Sequence, residues 1–280
     1  MAVPPKDRFD YVMKTSTINR VVRCLALVTA LSLAACGGDG VEGGKSNYVV
    51  NSQPSGIWSG TDMVTGLAIL AMVDEPGRFH IIRADGAQFV GTALTSGDGM
   101  VASVDGVTEL GKSFPDGSTH GTGTLNGNVS PGKEIDIDAQ FTTDAGTAAH
   151  ILAALKFDSA YYESSSLAIL AGNYADVVTG TVVSINSDGY IFAQDAITGC
   201  VVNGQAGIIS GYYNMYRVQV SYASCQGTAA ALNGMTFTGF GILGDTVSPQ
   251  ELIAGVTGNS DGVGKYSIIY ALKRLSPGSP

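Results

Sequence analysis

Residues 127–157 read GNVSPGKEIDIDAQFTTDAGTAAHILAALKF, and this stretch decides the fold. Within it, Glu134–Thr142 alternates polar and apolar residues, which is the period of a half-buried β-strand. The turn residues Ser130-Pro131-Gly132 precede this run, and Asp144-Ala145-Gly146 separate it from the next apolar run. The stretch therefore predicts consecutive antiparallel strands joined by tight turns.

The same pattern extends in both directions along the chain of 280 residues, 38 of which are glycine. Between residues 57 and 160 we identify eight runs, and Gly-, Asp- or Pro-containing turns separate them: Ile57–Thr61, Leu67–Val73, Arg78–Arg83, Gln88–Leu94, Met100–Glu109, Thr119–Val129, Glu134–Thr142 and Ala149–Phe157. Eight more follow between residues 161 and 280: Leu167–Val178, Gly180–Ile185, Tyr190–Gln194, Cys200–Ile209, Tyr213–Ser224, Met235–Leu243, Leu252–Val256 and Lys265–Arg274. The sequence predicts an all-β chain with two tandem eight-stranded antiparallel meander barrels of the lipocalin or avidin type, because closure removes exposed strand edges.

The two halves resemble each other as a diverged duplication. Fragments of the first half recur in the same order in the second, and each half ends in a similar apolar strand. The matched fragments are Gly56-Ile57-Trp58 with Gly172-Asn173-Tyr174, Gly77-Arg78-Phe79 with Gly189-Tyr190-Ile191, Gly91-Thr92-Ala93 with Gly204-Gln205-Ala206, and 151–156 with 268–273.

The N-terminal segment is predicted to be a signal peptide spanning residues 1–36. Starting at Met13 gives basic residues, then an apolar run, then Leu33-Ala34-Ala35-Cys36, which is the order of a secretory signal that ends in a lipobox. The alternative is an ordinary cleaved signal with a coincidental cysteine. Residues 37–56 are rich in Gly, Ser and Asn without apolar period, which predicts a flexible tether.

The match to the bacterial lipoprotein pattern implies that Cys36 carries a diacylglycerol and an acylated amine, with fatty acids such as palmitate. Several acyl chains give stable membrane anchoring. Gly37 rather than Asp after the cysteine implies sorting to the bacterial outer membrane, on its periplasmic or surface face. The membrane is therefore an expected partner through this anchor.

The formal net charge is −9, with 15 basic and 24 acidic residues. Phosphate neutralisation by Lys and Arg supplies much of the affinity for nucleic acids. The composition therefore excludes nucleic acid as an expected partner.

Of four cysteines, Cys24 lies in the leader and Cys36 is the predicted lipid site. This leaves Cys200 and Cys225, which flank a predicted hairpin in an exported chain and are expected to form a disulfide. Pairing them directly would put Ala206 opposite Gln219, so that apolar and polar residues share a face. A one-residue bulge near Tyr222–Cys225 restores the apolar face.

Three tyrosines, Tyr212, Tyr213 and Tyr216, cluster near the tip of this hairpin. They are candidates for lining a ligand mouth or a partner surface, because aromatic residues are enriched at contacts. The alternative is aromatic packing within a glycine-rich sheet.

Other polar residues give weaker signals. Glu134, Asp136 and Asp138 share the outer face of one strand, where they indicate a cation site, a carboxylate pair for acid–base catalysis, or simply a solvated face. The histidines His80, His120 and His150 match no metal-ligand spacing. The sequence therefore predicts no catalytic residue, no metal site and no cofactor.

Several segments together resemble a group of two-domain proteobacterial lipoproteins of uncharacterised function. These are the early Gly56-Ile57-Trp58, the run 161–174 (YYESSSLAILAGNY), and Thr198–Gly204 followed by Tyr213–Tyr216 and Cys225. The architecture is also similar to twin-barrel surface lipoproteins such as factor H-binding protein. The resemblance implies no activity. We expect domains at 57–160 and 161–280 and a non-catalytic envelope protein that binds a small ligand or a protein partner. A structural or accessory role in an envelope assembly is the alternative, and a hydrolase-type enzyme is third.

Overall fold

The computed structural model describes residues 52–244, 250–259 and 265–276. The predicted leader, with Cys24 and Cys36, and most of the predicted tether lie outside the described residues. No helix within the described ranges is long and apolar enough to cross a membrane.

The first barrel is an antiparallel meander that closes between its first and last strands. β4 and β5 pair with β6 in one continuous register, so they act as one strand interrupted at Ala93 and the ring has eight members. The strands are β1 (Gly56–Thr61), β2 (Ala68–Val73), β3 (Arg78–Arg83), β4 (Gln88–Thr92), β5 (Leu94–Ser96), β6 (Gly99–Val107), β7 (His120–Ser130), β8 (Glu134–Thr143) and β9 (Ala148–Phe157).

The second barrel is a closed ring in chain order from β10 to β17. Its strands are β10 (Gly172–Asp176), β11 (Val182–Ile185), β12 (Tyr190–Gln194), β13 (Val201–Ile208), β14 (Tyr216–Ala223), β15 (Thr236–Gly244), β16 (Glu251–Asn259) and β17 (Lys265–Arg274). The prediction of two tandem eight-stranded antiparallel barrels is confirmed.

One predicted strand is wrong in its first part. Leu167–Val178 begins with a short α-helix, Leu167–Leu170, and the strand starts only at Gly172. The hydroxyl of Ser166 caps this helix by accepting a hydrogen bond from the amide of Ile169 at 3.0 Å. Short 3-10 helices also occur at Ser159–Tyr162, between the barrels, and at Gly227–Leu232.

The duplicated fragments hold matching positions. Gly77 has φ +87°, and its carbonyl accepts a hydrogen bond from the amide of Ala93 at 2.8 Å. Gly189 has φ +83°, and its carbonyl accepts from the amide of Ala206 at 2.7 Å. These matched turns support the predicted duplication.

The first strand of each barrel carries a matching aromatic residue. Trp58 and Tyr174 are both fully buried. Each donates a side-chain hydrogen bond to the carbonyl four residues earlier, at Pro54 and Leu170 respectively. The two first strands therefore enter their barrels in the same way.

A third apolar cluster lies between the two barrels. Strand β2 is buried on both faces, because Ile69 and Ala71 face the interior of the first barrel while Leu70 and Met72 face the second barrel. The residues that meet β1–β3 from β15–β17 are Phe240, Ile242, Ile253, Ile269 and Ala271. The barrels therefore pack side by side through their outer faces.

Polar contacts fix the relative direction of the barrels. The Ser267 hydroxyl, near the start of β17, donates to the carbonyl of Gly86 in the β3–β4 turn at 3.1 Å. The amide of Ser267 donates to the carbonyl of Thr108, just after β6, at 2.9 Å. Because turns alternate between the ends of a meander, the β10–β11 turn lies at the same end of the molecule as these first-barrel turns.

The chain enters the first barrel at the opposite end. The amide of Ser52 donates to the carbonyl of Gly97 at 2.8 Å, and its hydroxyl donates to Asp98 at 2.6 Å. Both partners lie in the turn between β5 and β6. This turn is on the side where β1 begins.

His80 lies in the interface between the barrels, with its ring 5.1 Å from that of Phe240 in an edge-to-face arrangement. Burial lowers the pKa of His80 from 6.5 to about 4, although a hydrogen bond with Gln88 acts in the opposite direction. The imidazole is therefore neutral at neutral pH.

We expect the stabilising effect of neutral His80 to be complete above pH 6.5 and to be lost as the pH falls towards 4, since the unfolded chain then binds the proton more readily. When the loss is complete, the free energy of unfolding is lower by about 3 kcal/mol. Urea unfolding of the wild type and of His80→Leu at pH 7 and pH 4.5 measures it, with exposed His150→Leu as control. Equal pH dependence in wild type and His80→Leu would contradict this assignment.

Candidate functional site

The interior of the second barrel contains a cavity of about 320 Å³. A space inside the first barrel, lined by Trp58 and Phe79 among others, measures about 20 Å³. The cavity is lined mainly by apolar side chains from β11, β12, β13, β14, β16 and β17, among them Val183, Ile185, Ile191, Ala193, Val202, Ala206, Val218, Val220, Leu252, Ala254, Ile268 and Leu272. One barrel is therefore filled with side chains and the other is hollow.

Comparison of matched positions in the two barrels shows where this space comes from. Phe79 pairs with Gly91 in the first barrel, and Ile191 pairs with Gly204 in the matching place of the second. Two residues further along these strands, Ile81 of β3 holds the position that Ala193 holds on β12. Strand β12 therefore carries smaller inward-facing side chains than β3.

At another matched pair of positions, the large and the small residue change places between the two barrels. Phe89 lies opposite Gly106 in the first barrel, whereas Val202 lies opposite Tyr222 in the second. A Cβ on Gly106 would approach the Phe89 ring to 3.1 Å, so only one residue of the pair can be large. The loss of volume on β12 is compensated only on one side: β11 carries Val183 and Ile185 where β2 carries Ala71 and Val73, whereas Gly204 of β13 remains a glycine.

The end of the cavity near the short helix is closed. Leu170 is buried there, and its carbonyl accepts the hydroxyl of Tyr174 at 2.6 Å. Arg274 donates to the same hydroxyl at 2.7 Å. Burial raises the pKa of Tyr174, while Arg274 acts in the opposite direction. The hydroxyl of Tyr216 completes this end by donating to the carbonyl of Ser166 at 3.3 Å.

At the opposite end, which we call the mouth, the cavity is bordered by two turns of the same sequence type and by Ala229 and Leu232 of the 3-10 helix Gly227–Leu232. The carboxylate of Asp176 accepts from the amides of Val178 and Thr179 at 3.0 and 2.9 Å. The carboxylate of Asp195 accepts from the amides of Ile197 and Thr198 at 2.7 and 3.1 Å. Asp62 holds a similar turn in the first barrel, so these carboxylates have a structural role as well as a position at the rim.

The first barrel completes the wall of the cavity. Strand β10 pairs with β17 only from Tyr174 to Asp176, so the first part of β17 has β16 on one side and no strand of its own barrel on the other. Glu109 forms an isolated bridge with Ser267 there, and Glu109 and Leu110 line the cavity. The site therefore contains residues of both barrels.

Polar groups also occur inside the cavity. The hydroxyls of Tyr222 and Tyr270 hydrogen-bond to each other at 2.5 Å. The charged residues among the lining are three carboxylates: Glu109, Asp176 and Asp195. Lys112 forms an ion pair with Glu109. The lumen is thus largely apolar, with an acidic rim.

The predicted disulfide between Cys200 and Cys225 is present, and Cys200 lines the cavity near the mouth. The strand register puts Ala206 opposite Val218 rather than Gln219, and Ser224 has φ +59°. Ser224 is the extra residue of the predicted bulge. The disulfide therefore joins β13 to the start of the connection that contains the 3-10 helix Gly227–Leu232.

The structure does not bring the three predicted tyrosines together. Tyr212 is 82% exposed. Tyr213 stacks on Tyr161 with ring centroids 4.5 Å apart. Tyr216 is buried inside the barrel and lines the cavity at its closed end. Only Tyr216 therefore borders the candidate site, and it does so away from the mouth.

The other predicted polar candidates lie outside the cavity. On β8, Glu134 forms an ion pair with Lys156 and Asp138 lies 2.9 Å from His150. His120 lies between Asp144 and Asp105, at 2.9 and 3.4 Å. Within residues 52–244, 250–259 and 265–276, no group of three or more His, Cys, Asp or Glu is arranged to hold a metal ion.

Sequence reasoning missed the cavity, although a signal was present. The matched fragments Gly77-Arg78-Phe79 and Gly189-Tyr190-Ile191 already place a smaller residue in the second barrel. The carboxylates at this end were missed because Asp176 falls inside the predicted strand Leu167–Val178 and Asp195 falls in the gap between two predicted strands.

No protein-family model matches the chain, and no curated protein matches its sequence. The cavity and its lining therefore provide the basis for a functional proposal.

Exchanging the matched residues of β3 and β12 tests the origin of the cavity. We expect Ile81→Ala to lower the free energy of unfolding by about 2–5 kcal/mol, because it empties a packed site. Ala193→Ile should leave stability unchanged or raise it by up to about 2 kcal/mol, because it fills existing space. Urea unfolding measures both, and an equal loss for the two variants would contradict the assignment.

Proposed function

We propose that the protein is a lipid-anchored envelope protein that binds a small, mainly apolar molecule inside its second barrel without catalysing a reaction. The observation that carries this proposal is the contrast between about 320 Å³ in one barrel and about 20 Å³ in its duplicate. Barrels of eight strands either fill their interior with side chains or hold one small ligand. Enclosed, mostly apolar pockets of this size are typical of small-molecule sites.

The volume limits the size of the ligand. A cavity of about 320 Å³ has room for about ten groups the size of a water molecule or a methylene, at roughly 30 Å³ each.

The anchoring part of the proposal rests on Leu33-Ala34-Ala35-Cys36 and on the resemblance to two-domain proteobacterial lipoproteins. We place the protein at the bacterial outer membrane, acylated on Cys36. The disulfide between Cys200 and Cys225 fits an exported protein, since such bonds persist in oxidising compartments.

A structural or accessory role in an envelope assembly is the second candidate. It is favoured by apolar side chains on the outer face of β11 and β12, where Tyr190 is 62% exposed and Phe192 50% exposed. Aromatic residues of this kind are enriched in protein interfaces. An enzymatic role is third, since His80, His120 and His150 all lie outside the cavity.

Native mass spectrometry of the protein isolated from the envelope tests the binding role. We expect a retained small-molecule mass in the wild type, and its loss in Ile191→Phe/Ala193→Ile, which restores the residues of the filled barrel. The reciprocal pair Phe79→Ile/Ile81→Ala provides the control, because it alters only the first barrel. A retained mass that persists in the filled variant would place the ligand elsewhere and refute the proposal.

Fractionation tests the anchor. We expect Cys36→Ala to move the protein from the membrane fraction to the soluble fraction, because the acyl chains can no longer be attached. Cys24→Ala serves as the matched control and should leave the protein in the membrane fraction. An unchanged distribution of Cys36→Ala would show that the cysteine is not the anchor.

A further inference from the structure

The connection between β14 and β15 borders the mouth of the cavity. Residues 226–233 of this connection, which we call the cover segment, contain the 3-10 helix Gly227–Leu232. Ala229 and Leu232 are buried and line the cavity, whereas Thr228 and Ala230 are exposed. The helix therefore has one apolar side towards the lumen and another side towards solvent.

The two ends of the cover segment are joined to each other. A disulfide fixes Cys225, the residue before the segment, to Cys200, and the amide of Gln226 donates to the carbonyl of Thr198 at 2.8 Å. The side chain of Asn233 accepts from the amide of Cys225 at 2.8 Å and donates to its carbonyl at 3.0 Å. Compact surface loops with neighbouring ends, packed by their own side chains, are frequently functional.

Between these ends, the helix contacts the barrel through apolar side chains. Within the described part of the chain, no hydrogen bond joins Gly227–Leu232 to a strand of the barrel. Gln226 precedes the helix without capping it through its side chain. Segments with few buried contacts open locally at a small cost in free energy. The helix can therefore lift from the mouth while every strand of the barrel stays paired.

The connection at the same place in the first barrel is fixed more firmly. Between β6 and β7, Phe114 is buried, with its ring 5.2 Å from that of Phe141. The carboxylate of Asp116 accepts a hydrogen bond from the hydroxyl of Thr143 in the β8–β9 turn. This connection is a fixed plug in the filled barrel, whereas two aliphatic side chains take the place of the ring in the hollow one.

We propose that the cover segment is a lid, which opens about its joined ends and admits the ligand to the cavity of the second barrel. Opening turns Ala229 and Leu232 away from the lumen and leaves the disulfide intact. The inference rests on the proposed binding function, since a lid matters only if a molecule enters the barrel. Lids of this kind control the rates of entry and release.

The rate at which a reagent reaches the lumen tests the lid without a known ligand. Ala193 on β12 is 3% exposed and lines the cavity, so Ala193→Cys places a thiol inside the barrel. The full-length chain also carries Cys24→Ala and Cys36→Ala, which makes this thiol the one cysteine outside the disulfide. Methyl methanethiosulfonate is the reagent, and mass spectrometry follows the modification over time.

A variant at the joined ends loosens the lid. We expect Asn233→Ala to raise the rate of modification about tenfold, because it removes two hydrogen bonds that hold the lid closed. Ser166→Ala is the matched control, since it removes a hydrogen bond that caps the short helix at the closed end of the cavity. This control should leave the rate unchanged. Urea unfolding of both variants measures their global stability in parallel.

The inference is overturned if Asn233→Ala leaves the rate unchanged, or if Ser166→Ala raises it as much, since the reagent would then enter by another route. A rise that merely follows the global stability of the two variants would also overturn it. Failure of the binding function has a different signature: native mass spectrometry would detect no retained ligand, while the rise in Asn233→Ala would persist.

Discussion

The second barrel depends on how the exposed edge of its last strand is covered. Three residue pairs join β10 to β17, and beyond them the backbone of β17 turns to the first barrel for its partners. The amide of Ser267 donates to Thr108, and the carbonyl of Ile268 accepts from Gln88 at 2.9 Å. An unpaired edge at this point would expose backbone groups and invite association with other chains. The contact between the barrels therefore also covers the part of β17 that β10 leaves unpaired.

This dependence explains why the two copies have diverged differently. The first barrel covers the edge of β9 with its own turn, where the amide of Met63 donates to the carbonyl of Leu152 at 2.7 Å. Its core is packed with aromatic rings, such as Phe89 and Phe141 at 5.3 Å. It can therefore serve as a rigid support, while the second barrel tolerates an empty interior that would otherwise cost stability.

Much of the fold was predictable because Gly, Asp and Pro mark nearly every turn. The predicted and observed bounds of β3, β12 and β17 are identical. The prediction failed at Leu167–Leu170, where a four-residue helix is too short to show a helical period and depends on the cap from Ser166.

The interface was harder to predict, although AILAMV at 68–73 lacks the alternation of a strand with one solvated face. The cavity could not be predicted directly from the sequence, because its volume depends on which residues across the barrel compensate for each small residue. Of the predicted site residues, only Cys200 and Tyr216 border it.

The position at which the chain enters the first barrel would affect how a protein anchored in an envelope exchanges its ligand. Ser52 is fixed to the β5–β6 turn, at the end of the molecule opposite the mouth. In a chain held by its N-terminal side, the point of attachment and the mouth would therefore lie at opposite ends of the folded part. Cargo would then be exchanged with the aqueous phase or with a neighbouring protein instead of diffusing laterally out of the bilayer. This arrangement would suit a protein that captures a ligand, or transfers it to another protein, at a distance from the membrane.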